Sequence, residues 1–97
     1  MDRLDYTSLY MFFKALGNPI RLKILNELTK KEMCVGEVES SVQVSQATVS
    51  QHLAVLKEHD IVKCRKEGNM RCYCLRQPEL ITRILDLAEK TEKEEKK

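Results

Sequence analysis

The sequence predicts a mainly α-helical domain with one small β-hairpin, about five helices and a two-stranded ribbon in all. Three observations carry that expectation. Apolar residues recur three and four apart over most of the 97 residues, the spacing that gives a helix one buried face. Helix-start chemistry precedes several of these runs, as Asn18-Pro19, Ser45 and Pro78. A single Gly68-Asn69 pair sits between two short stretches that favour strands.

In chain order, Leu9, Phe12, Phe13 and Leu16 form the stripe of a first helix, ended by Gly17. Asn18 caps a second helix, with Pro19 at its first position and Ile20, Ile24 and Leu28 on its inner face, running to about Lys30. Val35, Val38 and Val42 make a short third helix, and Gln43-Val44 has the length of a tight interhelical turn. Ser45 then caps a fourth helix whose stripe is Val49, Leu53 and Leu56. The segment DIVKCRKEGNMRCYCL reads as two strands around Gly68-Asn69. A two-residue turn sets Glu67 opposite Met70, Arg65 opposite Cys72, Cys64 opposite Tyr73 and Val62 opposite Leu75. Pro78 opens a last helix with Ile81, Ile84, Leu85 and Ala88 in line. A short helix, a turn, a longer helix and then a hairpin is the order of a winged helix-turn-helix.

Ninety-seven residues suit one domain, here residues 1–90, followed by a charged tail at 91–97 expected to fray. A chain this small buries a modest core and gains from pairing with a second copy. No apolar run follows a basic N-terminal segment and none approaches a membrane span, so a cytoplasmic protein without membrane partners is expected. Four cysteines without secretory features suggest reduced thiols. Net charge is only +2, but its distribution matters more than its sum. Residues 89–97 hold four Lys and four Glu, which cancel. Residues 63–76 hold Lys63, Arg65, Lys66, Arg71 and Arg76 against Glu67 alone.

Candidate contact residues follow from that distribution. The exposed side of the fourth helix carries Gln46, Ala47, Thr48, Ser50 and Gln51 behind Ser45, all small or hydrogen-bonding and uncharged. Such groups at a helix start suit base edges in a major groove, where a merely soluble helix would place Lys and Glu. Arg65, Lys66, Asn69 and Arg71 of the hairpin suit phosphates. The bland readings are an ordinary amphipathic helix and a sheet edge guarded by charge, and the side-by-side placement of the two favours double-stranded DNA.

Four motifs in register, ALGNPIRLKIL, MCVGEV, SQATVSQHL and RKEG, give the chain a resemblance to the ArsR family of small winged helix-turn-helix repressors. The resemblance runs from about Leu4 to Ala88. It implies a homodimeric, operator-binding repressor, not an enzyme, released by a metal, a metalloid or a thiol-reactive signal. It also implies a dimer interface on the first and last helices, which here places Leu9, Phe12, Phe13, Leu80, Ile81, Ile84 and Leu87 there.

Cys34 occupies a sensing position of that family, but Gly36 stands where a second cysteine is common, so Cys34 needs partners from elsewhere. The last helix has Asp86 and Glu89 but no histidine, which disfavours the family's other type of metal site. His52 reads as a packed structural histidine and His59 as a helix-end residue. Strand alternation sets Cys64 inward and Cys72 and Cys74 outward together, where Lys63 and Arg65 would favour thiolates. The expected effector is therefore a soft metal or metalloid ion on Cys34, Cys72, Cys74 and Cys64, not required for folding. Oxidants or reactive sulfur acting on the same thiols are the alternative. A thiol-based metal carrier lacks a Cys-x-x-Cys and a neighbouring base. A protein-docking winged helix without DNA affinity leaves the clustered charge unexplained.

Overall fold

The computed structural model describes residues 3–95, with side chains through residue 93. Five helices and a three-stranded antiparallel sheet follow the order α1 (Tyr6–Leu16), α2 (Pro19–Leu28), β1 (Met33–Cys34), α3 (Val35–Val42), α4 (Gln46–Glu58), β2 (Val62–Glu67), β3 (Met70–Leu75) and α5 (Pro78–Glu95). The caps anticipated from sequence are formed. Asn18 Oδ1 accepts from the Ile20 and Arg21 amides at 2.9 and 3.1 Å, and Ser45 Oγ accepts from the Thr48 amide at 3.2 Å. The Asp5 carboxylate caps α1 in the same way, accepting from Thr7 and Ser8, and these bonds hold its carboxyl below the usual carboxylate range.

Ile24, Leu25, Val38, Val49, Leu53, Leu56 and Val62 form the driest part of the core, where α2, α3 and α4 meet the base of the hairpin. Truncating one of them, as in Leu53→Ala, should cost about 2–5 kcal/mol through lost burial and a residual void. The α3–α4 turn is made by Gln43 at φ 58°, and the β2–β3 turn by Gly68 at φ 62°. Asn69 does not adopt positive φ, so Gly68 alone supplies that conformation.

The β2–β3 register is the one the turn length implied: Val62 faces Leu75, Cys64 faces Tyr73, Arg65 faces Cys72 and Glu67 faces Met70. The third strand is an addition. Met33 pairs with Tyr73 and Cys34 with Cys72, so β3 is the central strand and β1 an edge. Two residues carry no readable alternation, which is why sequence periodicity does not show β1. Helix α5 continues through the expected 90/91 boundary to Glu95, and 96–97 lie outside the described residues. Among the described residues, no helix is long and apolar enough to cross a membrane.

Candidate nucleic-acid interface and thiol site

Burial of Val49, Leu53 and Leu56 fixes the rotation of α4. Its opposite side, Gln46, Ala47, Ser50, Gln51 and Ala54, is left exposed, behind Ser45 at the cap. Thr48 is half-buried, and its hydroxyl accepts from Ser45 Oγ at 3.0 Å. From behind, Arg21 ties α4 to the end of α1. Its Nε donates to the Ala15 carbonyl at 2.6 Å, its Nη2 to the Lys14 carbonyl at 3.4 Å, and its Nη1 to His52 Nδ1 at 3.1 Å. Arginine has only donors, so His52 accepts at Nδ1 as a neutral imidazole. Burial first, then the Arg21 charge, pushes its pKa down. His52 is thus the packed histidine expected from sequence, whereas nothing in the sequence places Arg21, 31 positions away, against it. His59 Nδ1 lies 2.9 Å from the Val55 carbonyl at the end of α4.

On the wing, Lys66, Asn69 and Arg71 are exposed. Arg65 is exposed too, but its guanidinium is engaged within the chain. Nε and Nη2 donate to the two Glu32 oxygens at 2.8 Å each, and Nη1 to Glu67 at 2.9 Å. The hydrogen bond from Arg65 holds the Glu32 carboxyl below its ordinary value, and the pair raises the Arg65 pKa further. The sequence places Arg65 among the wing cations, but no local signal points to its partner Glu32, 33 positions away. Between α4 and the wing lies an open cleft of about 480 Å³, with Gln46, Ser50 and Ala54 on one wall and Asn69, Met70, Arg71 and Tyr73 on another. The start of α3, at Cys34 to Gly36, closes one end of it.

The cysteines depart most from expectation. Cys72 does not stand outward beside Cys74: it is 2% exposed and disulfide-bonded to Cys34. Alternation does set Cys72 and Cys74 on one face, but β1 pairs with the remaining edge of β3 and sets Cys34 on that face as the direct cross-strand neighbour of Cys72. The expectation of four reduced thiols is corrected by the same bond. Cys34 finds its partner in the wing, and Gly36 has no part in it. Cys64 and Cys74 are free and half-buried. Cys64 packs against the core as expected. Burial, then the neighbouring Cys64, pushes the Tyr73 phenol up. Cys74 shares a small pocket of about 260 Å³ with Glu32, Lys63, Cys64 and Arg65.

A disulfide sulfur is not a thiolate ligand, and among the described residues no three His, Cys, Asp or Glu side chains gather as a metal site needs. The disulfide form therefore does not fit a soft metal ion. On α5, Asp86 and Glu89 are exposed around a shallow hollow with Asn26 and Glu92, and Glu89 also pairs with Lys93 at 3.4 Å.

The residues expected at a dimer interface divide. Leu9, Phe13, Leu80 and Leu87 are exposed, and Tyr6, Tyr10 and Met11 add to the same uncovered apolar surface of α1. Phe12 and Ile84 are half-buried. Ile81, 2% exposed, belongs to the core of the single chain instead.

Residues 18–63 match the family described as "Bacterial regulatory protein, arsR family". An uncharacterized HTH-type transcriptional regulator of Mycobacterium tuberculosis is 38% identical over 80 residues, covering 81% of this chain and 69% of that protein. The arsenical resistance operon repressor of Staphylococcus xylosus is 36% identical over 72 residues, covering 74% and 69%. Among solved structures, HlyU from Vibrio cholerae superposes with a TM-score of 0.79 at 32% identity, covering 89% of this chain and 97% of that one.

Proposed function

This chain belongs to the arsR family of bacterial regulatory proteins, transcription regulators rather than enzymes, and we propose that it is a cytoplasmic, homodimeric repressor whose grip on operator DNA is set by the Cys34–Cys72 pair. In this reading the dithiol form binds and the disulfide form lets go. Gln46, Ala47, Ser50 and Gln51 of α4, with Ser45 and Thr48 shaping the helix start, read base edges in the major groove. Lys66, Asn69 and Arg71 hold flanking phosphates, joined by Arg65 when phosphate displaces Glu32. The exposed apolar sides of α1 and α5 pair two chains and so set the spacing of two α4 helices.

One observation carries the regulatory part: the disulfide joins the first residue before α3 to the central strand of the wing. The two parts of the protein that must seat separately on DNA are thereby bridged by a bond that a two-electron oxidant can make. A peroxide does so by taking both thiol protons and two electrons, leaving an alcohol and water. A bridge between helix-turn-helix and wing removes the slack with which each settles into its groove. Coupling between two such sites is commonly about 1–3 kcal/mol, so oxidation should weaken operator binding by roughly 5–150-fold. By linkage, operator DNA should shift the reduction potential of the pair by about 30 mV for each tenfold.

The test is fluorescence anisotropy with a duplex from the region upstream of the coding sequence, on fully reduced and fully oxidised protein across a salt series. Equal affinity of the two forms would reject thiol control. Absence of any salt-dependent binding would reject the repressor. A second reading has its own support: once reduced, Cys34, Cys72 and Cys74 place three thiols on one face of the sheet, a donor set for soft metal or metalloid ions. Titrating the reduced protein with arsenite and cadmium, followed by thiolate absorbance, separates the two.

A further inference from the structure

Cys72 is buried without belonging to the core. Among the described residues it is the one buried apolar side chain, at 2% exposure, that lies outside the hydrophobic cluster. Tyr73 and Leu75 alternate into that cluster, so Cys72 stands on the opposite face of the sheet. Its companions on that face are exposed or half-buried: Lys63, Arg65 and Glu67 on β2, Met70 and Cys74 on β3. Cys34 covers Cys72 from the β1 side only. From the other side comes Arg65, the cross-strand neighbour of Cys72 on β2, which therefore shares its face. Glu32, which holds Arg65 Nε and Nη2 at 2.8 Å each, directly precedes β1 on the far edge of the sheet. A side chain rooted on β2 opposite Cys72 that meets a carboxylate beside β1 has to cross β3. Glu67, nearer the hairpin turn, holds Nη1 at 2.9 Å and steadies the same guanidinium.

We propose that Arg65, clamped between Glu32 and Glu67, is a lid over the Cys72 sulfur, and that a DNA phosphate which takes Arg65 away opens that sulfur to small reagents. The second half rests on the DNA-binding reading above. A bidentate pair fixes a guanidinium in one plane and one place, as a single hydrogen bond does not. With the lid closed, reagents are kept off the central strand and Cys72 is reserved for its bond with Cys34. Phosphate and Glu32 compete for the same donors, so a chain seated on DNA gives up the cover over Cys72. The dithiol is thereby more open to thiol chemistry on DNA, where a signal has to be answered, than after release. The lid sets a rate; the effect of DNA on the reduction potential of the pair is separate. A guanidinium beside a thiol also favours the thiolate. That role alone would move the pKa of Cys72 and leave its limiting reactivity as it is, which gives the two roles different signatures.

The reduced full chain carrying Cys64→Ser and Cys74→Ser is exposed briefly to N-ethylmaleimide, a small neutral reagent, across a pH series. Acid quenching and peptide mass spectrometry then give separate initial rates at Cys34 and Cys72. Glu32→Gln should raise the limiting rate at Cys72 roughly two- to fivefold, the weight of one exposed ion pair. Glu67→Gln, which lies away from β1, should raise it by less. Cys34, on the strand that Glu32 precedes, should keep its rate in both variants. Cys34 and Cys72 accelerating together would mean that β1 has loosened. A limiting rate at Cys72 that neither variant changes, with or without a moved pKa, would mean that Arg65 does not cover the sulfur. Either result overturns the lid. A short DNA duplex of unrelated sequence, added at low salt, should raise the Cys72 rate in the parent and leave Glu32→Gln unchanged. Protection of Cys72 by the duplex overturns opening by phosphate. A chain that binds no duplex would sink the DNA-binding reading, while the two variants still decide the lid.

Discussion

Reducing the Cys34–Cys72 bond in a Cys64→Ser, Cys74→Ser background isolates what that bond contributes to stability. The bond closes a loop of 38 residues. In the chain-entropy description, a cross-link of that span removes about 13 cal/mol/K from the unfolded ensemble, or about 3.9 kcal/mol at 25 °C. The folded side changes little on reduction. The β1–β3 backbone pairing remains, and so does the Arg65–Glu32 ion pair that ties the approach to β1 to the wing. Two small thiols also stay compatible with an apolar site. The expected loss is therefore close to the full entropic figure, in the range 3–4 kcal/mol. For a chain of this size that corresponds to roughly 12–30 °C in Tm. Urea unfolding followed by circular dichroism, at one fixed protein concentration with and without reductant, measures it directly. The slope against urea should also rise on reduction, because an uncrosslinked chain exposes more surface. A loss below about 1 kcal/mol with an unchanged slope would refute loop closure as the source of the stabilisation.

Glu32→Gln should release Arg65 to DNA, tightening binding at low salt and steepening the salt dependence by about one unit, while Arg71→Ala should flatten it by about one; a salt dependence left unchanged or made flatter by Glu32→Gln would refute the assignment of Arg65 as a wing cation held in reserve. His52 favours its neutral form in the fold, so its contribution is fully present above its unfolded pKa of about 6.5 and is lost as pH falls through the depressed folded value. Urea midpoints should accordingly decline from pH 7 to pH 5 in the parent chain and less steeply in His52→Gln; parallel declines would show that the Arg21–His52 contact is not what titrates. The Phe13→Glu, Leu87→Glu double variant should be monomeric by light scattering at micromolar concentration and lose tight operator binding, whereas a parent chain that is itself monomeric would remove the basis for the dimer.

What the sequence determined by itself is local. The five helices, the Asn18 and Ser45 caps, the Gly68 turn and the β2–β3 register each depend on residues within a few positions of one another, where spacing and cap chemistry act directly. The outward side of α4 followed as well, since three buried residues on one stripe fix a helix's rotation. Tertiary structure alone decided the pairings that define the site: Cys34 with Cys72, Glu32 with Arg65 and Arg21 with His52, separated by 38, 33 and 31 residues. Alternation assigns a side chain to a face of a strand but cannot say what lies alongside that face. Here a strand of two residues, too short to leave any periodic trace, laid itself against β3 and turned an outward thiol into a buried disulfide. Long side chains add the same uncertainty, because Arg65 and Arg21 reach partners chosen by the packing of distant elements and not by their neighbours in the chain.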